Sequence, residues 1–359
     1  MSKKNLLIIA GVLVVLAFVS QWFTQSGNKS KDEKIGQPIL EAALVEAFDE
    51  LILEDSKGVV RIKKAGDTWG VQEKNNYPVD MGKMMELVGE LTQTKIASLV
   101  TKDEKRLAHF KVVYRNSEGG DNNTAGTQLT LQSEGKVVFK MMAGKKRDSK
   151  SSQANMPTHS DGQYIRIGDQ KSVYLSKNDF ILETDPKEWI KSTLFSIDKK
   201  EIEAVQFKSK SDSFELKRAE KGKELLVSTM KENEEIETYE RNSIESDLES
   251  FSIEDIFESS LVKRSDLELQ STVTVNLYND APLSFNVYRK LLEDPIGPPK
   301  KEEEKEYIYF VEFMEVSDLK ADSVWNEVQQ LGKQWMFKLE EWKANRWIRE
   351  RSDFVKEKE

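Results

Sequence analysis

The feature that most limits what this chain can fold into is an order of elements that runs once through its first half. It then returns at an offset of roughly 145–155 residues. "VVRIKKAGDTWGVQ" at 59–72 has a counterpart in "SFELKRAEKGKELLVS" at 213–228, and "QYIRI" at 163–167 in "EYIYFVEF" at 306–313. "PKEWIKS" at 186–192 is matched with "GKQWMFK" at 332–338. Such a spacing is that of a whole domain and too long for a solenoid unit. The chain is therefore expected to build one module twice.

Each module reads as α+β. In the first, residues 51–53 and 59–63 have strand character, and the "KAGD" turn leads from the latter into a Trp-centred strand at 68–72. Asp80 stands where it can cap a helix over 80–92, in which Met84, Leu87, Val88 and Leu91 form one apolar stripe. Strands are expected again at 96–100, 110–114, 128–132, 136–142, 164–167 and 173–175, followed by a short helix capped by Ser176 with Asp179. The second module repeats the plan with a helix over 242–251, striped by Ile244, Leu248 and Phe251, with Asn242 and Glu245 as a capping box. Strands at 272–278 and 283–288 follow it. Loops such as "RNSEGGDNNTAG" and "EDPIGPPKKEEEKE" are rich in Gly, Pro and charge and read as solvated excursions.

The start of the chain is of another kind. Between Asn5 and Phe23 no residue carries a formal charge, which gives about 28 Å of helix against a hydrocarbon core of about 30 Å. Lys3 and Lys4 precede it, so the positive-inside rule places the N-terminus in the cytoplasm and the rest outside. A cleaved signal peptide would need small residues at its cleavage site, and cleavage after Ser20 would put Phe18 there instead. With no cysteine, a lipid-modified Cys is excluded as an anchor, along with disulfides, thiolate nucleophiles and Cys-based metal sites.

The expected architecture is thus an N-terminal transmembrane helix followed by two related modules of antiparallel sheet with packed helices. The anchor spans 1–24 and a tether 25–47. The first module spans 48–198, the second 199–335, and a C-terminal helical extension 336–359. The expected location is a cytoplasmic membrane, with the bulk of the chain periplasmic or extracellular.

Charge and motifs narrow the function by exclusion. The net charge is −9 and the lysines are interleaved with acids, as in "KKEEEKEY", so nucleic acid is not an expected partner. His109 and His159 are the only histidines, and with Asp161 they lack a diagnostic ligand spacing, so no metal is expected. "GxSxG", Walker, "HExxH" and "GxGxxG" patterns are absent, and adjacent acids such as Glu234 and Glu235 read as solvated surface. No catalytic residue and no cofactor is assigned.

Trp69 and Trp189 read as core. Four further tryptophans cluster at the C-terminus, where Trp325, Val328, Trp335, Leu339 and Trp342 follow helical spacing. Beyond them Trp347, Ile348 and Phe354 lie among Arg346, Arg349 and Arg351. Trp342, Trp347, Ile348 and Phe354 are accordingly the candidate surface for a partner or a bilayer interface, against a terminal helix folded back on its own domain.

Two stretches carry a family resemblance. "GDTWGVQEKNNYPVDMGKMMELVGEL" resembles the signature of the uncharacterised bacterial family called domain of unknown function 4340, a Trp hairpin running through Tyr-Pro-x-Asp into a helix. "DPKEWIKSTLFSIDKKEIEAVQF" at 185–207 is similar to that family's join between units, with Trp189, Leu194, Ile197 and Asp198 in order. The resemblance covers about 50–207. The second half departs from it by lacking Trp and Tyr-Pro in its first hairpin. The resemblance implies a membrane-tethered extracytoplasmic protein, often encoded beside ABC-type transporters of the gliding-motility-like class. The expected function is therefore a non-enzymatic accessory or scaffold protein contacting an ABC-type permease or another envelope protein. The alternative is a binding module for an envelope glycan or lipid.

Overall fold

The alternation read at 51–53 and 59–63 folds as expected: Leu51, Leu53, Val60 and Ile62 are fully buried while Arg61 and Lys63 face solvent. The computed structural model describes residues 34–148, 160–292, 305–317 and 319–358. It divides into two units, Met1–Lys191 and Ser192–Glu359. The expected anchor and His159 fall outside the described residues, among which no helix is long and apolar enough to cross a membrane.

The first unit runs β1 (Glu50–Glu54), β2 (Val59–Ala65), β3 (Thr68–Val71), β4 (Tyr77–Pro78), α1 (Met81–Gln93), β5 (Ile96–Thr101), β6 (Thr127–Ser133), β7 (Lys136–Asp148), β8 (Ser160–Ile167) and β9 (Val173–Ser176). Its sheet has the order β4-β3-β2-β1-β6-β7-β8-β9-β5, with every pair antiparallel. Asp80 caps α1 by accepting from the Lys83 amide at 3.1 Å, and the stripe Met84, Leu87, Val88 and Leu91 is buried.

The second unit runs β10 (Thr193–Phe195), β11 (Ile202–Ser209), β12 (Ser213–Arg218), β13 (Leu225–Val227), β14 (Glu234–Ile236), α2 (Thr238–Glu249), β15 (Phe251–Ser252) and β16 (Asp255–Glu258). It continues with β17 (Glu268–Leu277), β18 (Leu283–Leu291), β19 (Tyr307–Phe313), α3 (Asn326–Gly332), β20 (Trp335–Leu339), α4 (Glu341–Trp347) and β21 (Val355–Glu357). Its main sheet has the order β13-β12-β11-β17-β18-β19-β20-β16, and β10 with β15 and β14 with β21 make two small pairs.

Apart from β4, the two large sheets share one order strand for strand, and their registers agree. Leu53 lies opposite Val60 and Leu129, as Phe207 lies opposite Phe214 and Val273. Leu129 faces Met141 and Met141 faces Ile167, as Val273 faces Phe285 and Phe285 faces Phe313. Tyr174 sits between Ile165 and Leu99, as Phe337 sits between Val311 and Ile256. Because a slip of one residue would turn every apolar side chain outward, this agreement is a property of the whole core. Both helices are also clasped in the same way at their start: the Asp80 amide donates to the Trp189 carbonyl and the Glu237 amide to the Phe354 carbonyl, each at 2.8 Å.

Several expectations need correction. The second helix starts at Thr238, so Asn242 lies inside it and caps nothing. Residues 110–114 form no strand, only a single bridge between Val112 and Ala125 after a 3-10 turn. No helix follows Ser176, whose hydroxyl donates to the Gln163 carbonyl and accepts from the Gln163 amide. "GKQWMFK" is not the counterpart of "PKEWIKS": the former enters strand β20, the counterpart of β9, and the latter forms a 3-10 helix, Pro186–Trp189. The C-terminal region 336–359 is accordingly not a helical extension, since it contains β20, α4 and β21. The described part of the tether is also built in, with Ile39 and Leu40 buried and their amides bonded to Thr94 and Leu91 carbonyls.

Candidate functional site

The four residues singled out at the C-terminus separate. Trp347 and Phe354 are fully buried and pack with Phe207, at ring separations of 6.4 and 5.7 Å. They seal the second core and cannot form a surface. Ile348 is half-buried beside a small cavity of about 180 Å³ with Lys210, Leu269 and Arg349. Trp342 alone keeps an exposed face, at 54%.

That indole is held rather than loose. It lies on α4, with the Arg346 guanidinium 4.7 Å and the Lys343 ammonium 5.6 Å from its ring centre, and its Nε1 donates to Glu340. Arg346 is itself fixed by donating to Asp247 on α2 at 2.7 Å, and Lys343 donates to the Ser252 carbonyl at 2.8 Å. Asp247 and Lys343 are both buried. Burial pushes the Asp247 carboxyl up from its ordinary range, against the pull of Arg346 and Lys343, and pushes the Lys343 ammonium down. Among the described residues Asp247 Oδ2 has no hydrogen-bond partner, so this charge cluster is only partly satisfied.

The sheet faces away from the helices differ between units. In the first, residues 102–126 connect β5 to β6, and Leu107, Phe110, Val112, Val113 and Tyr114 form a second small core with Met142 and Val173. Gly144 makes this possible: a Cβ there would stand 2.1 Å from the Phe110 carbonyl oxygen. In the second, the connection from β16 to β17 is only 259–267, and the counterparts of Met142 and Gly144 are Asn286 and Tyr288. There Thr272 donates to Asn286 at 2.7 Å, Asn286 to the Tyr288 hydroxyl at 3.1 Å, and Tyr288 to Glu312 at 3.3 Å, with Arg264 paired to Glu312. Desolvation first, then Glu312, pushes the Tyr288 hydroxyl up.

A groove of about 610 Å³ lies in the first unit between the segment 34–44 and the ends of β7 and β8. Ile39, Phe139 and Ile167 floor it, Val137 stands half out of its wall, and Lys34, Glu41, Lys140 and Asp169 line its rim. Its size is that of ordinary ligand sites. The sequence held one usable signal for it, the five residues 168–172 between "QYIRI" and the next strand against twenty-one, 314–334, after its echo.

A family model described as Domain of unknown function (DUF4340) matches residues 69–271. The chain belongs to this family. The match begins at the hairpin tryptophan and continues past residue 207, through α2 and into β17, so it includes parts of both units. No curated protein and no solved structure matches the chain. His109 is exposed with its ring 4.9 Å from Phe110, and among the described residues no three acidic or histidine side chains converge in a metal-holding group.

Proposed function

We propose that the chain is a non-enzymatic, membrane-anchored accessory protein, an auxiliary subunit of an ABC-type transporter of the gliding-motility-like class. Residues 1–24 anchor it in a bacterial cytoplasmic membrane and both units work outside. The uncharged segment behind Lys3 and Lys4 supports the anchor, and the family resemblance supports the transporter context. The observation that carries the contact is Trp342, an exposed indole fixed by Arg346 and Glu340. Rigid Trp and Arg side chains are the groups that dominate interface energies, because little entropy is lost when they are covered.

The test is a mild-detergent pull-down of the full-length chain from its native membranes, read by mass spectrometry, beside W342A and a version lacking residues 1–24. Co-purification of permease and ATPase subunits, reduced by W342A, is the expected result. Recovery of the bait alone would overturn it. A second reading, an envelope glycan-binding module, is favoured by the hydroxyl, amide and carboxylate ladder of Thr272, Asn286, Tyr288 and Glu312. Binding of an envelope glycan that is lost in N286A would support that reading instead.

A further inference from the structure

We propose that Asp247 is the residue that positions the Trp342 contact, and that its protonation loosens that contact while the second unit stays folded. This rests on the accessory-subunit reading for what the indole touches. How the indole is held is a property of the chain alone.

The hold runs in a line from α2 to the surface. Asp247 Oδ1 accepts from Arg346 Nη1 at 2.7 Å, and the Arg346 guanidinium lies 4.7 Å from the centre of the Trp342 ring. Trp342 and Arg346 are four residues apart on α4, so they stack along one stripe of the helix. An arginine side chain has many rotamers, and the bond to a buried acid selects one of them. At its edge the indole donates from Nε1 to Glu340, which leaves its exposed face clear.

Asp247 is built to lose this role on gaining a proton. Its side chain is 7% exposed, and among the described residues Oδ2 has no hydrogen-bond partner. A buried carboxylate with one oxygen unmet carries a charge that the fold supports poorly. The charged groups that act on it are Arg346 and Lys343, both from α4. Lys343 directs two of its donors to the Ser252 carbonyl and hydroxyl, and Glu340 acts on it from the start of the helix. The other elements packed on α2 are β15, which brings Ser252, and the 3-10 turn Lys199–Glu201, whose Lys199 pairs with Glu249 at 3.8 Å.

Burial raises the Asp247 carboxyl in spite of both cations. A carboxyl raised by folding binds its proton more readily in the folded chain than in the unfolded one, so this protonation does not pull the unit apart. It removes the charge that makes the Arg346 bond strong, and a neutral acceptor holds about half as strongly. Glu234 is the opposite case. Arg351 holds its carboxyl down at about 2, so the clasp of the second unit persists below the range in which Asp247 becomes neutral. Between the two lies a span of pH in which the surface loosens and the fold stands.

The experiment is fluorine NMR of the full chain in nanodiscs, its seven tryptophans replaced by 5-fluorotryptophan and the Trp342 signal identified by its absence from W342F. From about pH 7 down to about pH 3 that signal should shift in one step above the ordinary aspartate range, while those of buried Trp325, Trp335 and Trp347 stay in place. D247N should hold the Trp342 signal at its low-pH position throughout. A signal that does not move in the unaltered chain, or that moves equally in D247N, would overturn the proposal. So would a response kept in D247N and lost in E340Q, which would give it to Glu340. A step shared by all the tryptophan signals would be unfolding and would overturn it as well. Capture of permease subunits is the second readout, expected to fall about threefold between about pH 7 and about pH 5 in the unaltered chain and to stay low in D247N. Capture of nothing at either pH would refute the accessory-subunit reading and leave the fluorine result to decide the role of Asp247.

Discussion

The two units hold their cores in the same register and differ in what their connections cover. In the first, the long connection 102–126 buries the outer sheet face under Phe110 and Val112, while the short turn 168–172 leaves the inner groove open. In the second the lengths are exchanged. The short 259–267 leaves a polar ladder on the outer face, and the long 314–334 fills the inner seat with Trp325. Side chains follow suit, Gly144 against Tyr288. The core positions specify the frame, and the connections decide which face remains available for function.

The comparison can be broken in several places. The largest expected effect is W325A, which empties the filled seat and should cost the second unit about 3–5 kcal/mol. Local unfolding free energies from hydrogen exchange in the intact chain measure it without assuming two-state behaviour. Next is G144Y, which copies the second unit into the first. The crossing backbone at Phe110 must move, so a loss of about 2–3 kcal/mol is expected, with faster exchange across 102–126. The reverse change, Y288G, should cost about 1 kcal/mol.

The helix clasp sharpens the comparison through pH. In the second unit Arg351 donates to Glu234 at 2.5 and 3.1 Å and holds its carboxyl down at about 2, helped by the Lys231 amide. The first unit joins the same point with a single bridge between Val79 and Ile190 and a longer ion pair, Lys83 with Glu188 at 3.6 Å. A depressed carboxyl stabilises the fold above its unfolded range and loses that contribution as pH falls toward its folded value. Calorimetric melting of the second unit should therefore fall between about pH 4.5 and about pH 2, and E234Q should flatten that arm. The smallest effect on stability is W342A, under about 0.5 kcal/mol, because the indole's exposed face has no core to lose. Its consequence belongs to partner capture.

Local signals were legible where local physics decides. Asp80 and the four-residue stripe placed α1, and alternation placed β1, β2 and β6 within a few residues and the start of β7. Elsewhere long-range contacts override spacing. Trp335, Met336 and Phe337 are buried in succession, and a strand covered on both faces gives no alternation to read, so the spacing there reads as helical. Arg346, Arg349 and Arg351 gave the C-terminus the look of a basic surface. Each is paired with an acid roughly a hundred residues earlier, Asp247, Glu240 and Glu234, and Trp347 and Phe354 are drawn inward with them. The groove was invisible to any local reading, since it arises from the difference between two connection lengths.

The most direct test of a shared frame whose connections decide what is covered is hydrogen exchange of the full chain with and without W325A. Lost protection across 314–334 and the strands beneath it, with the first unit unchanged, is the predicted result. Unchanged protection in the second unit, or an equal loss in the first, would contradict it.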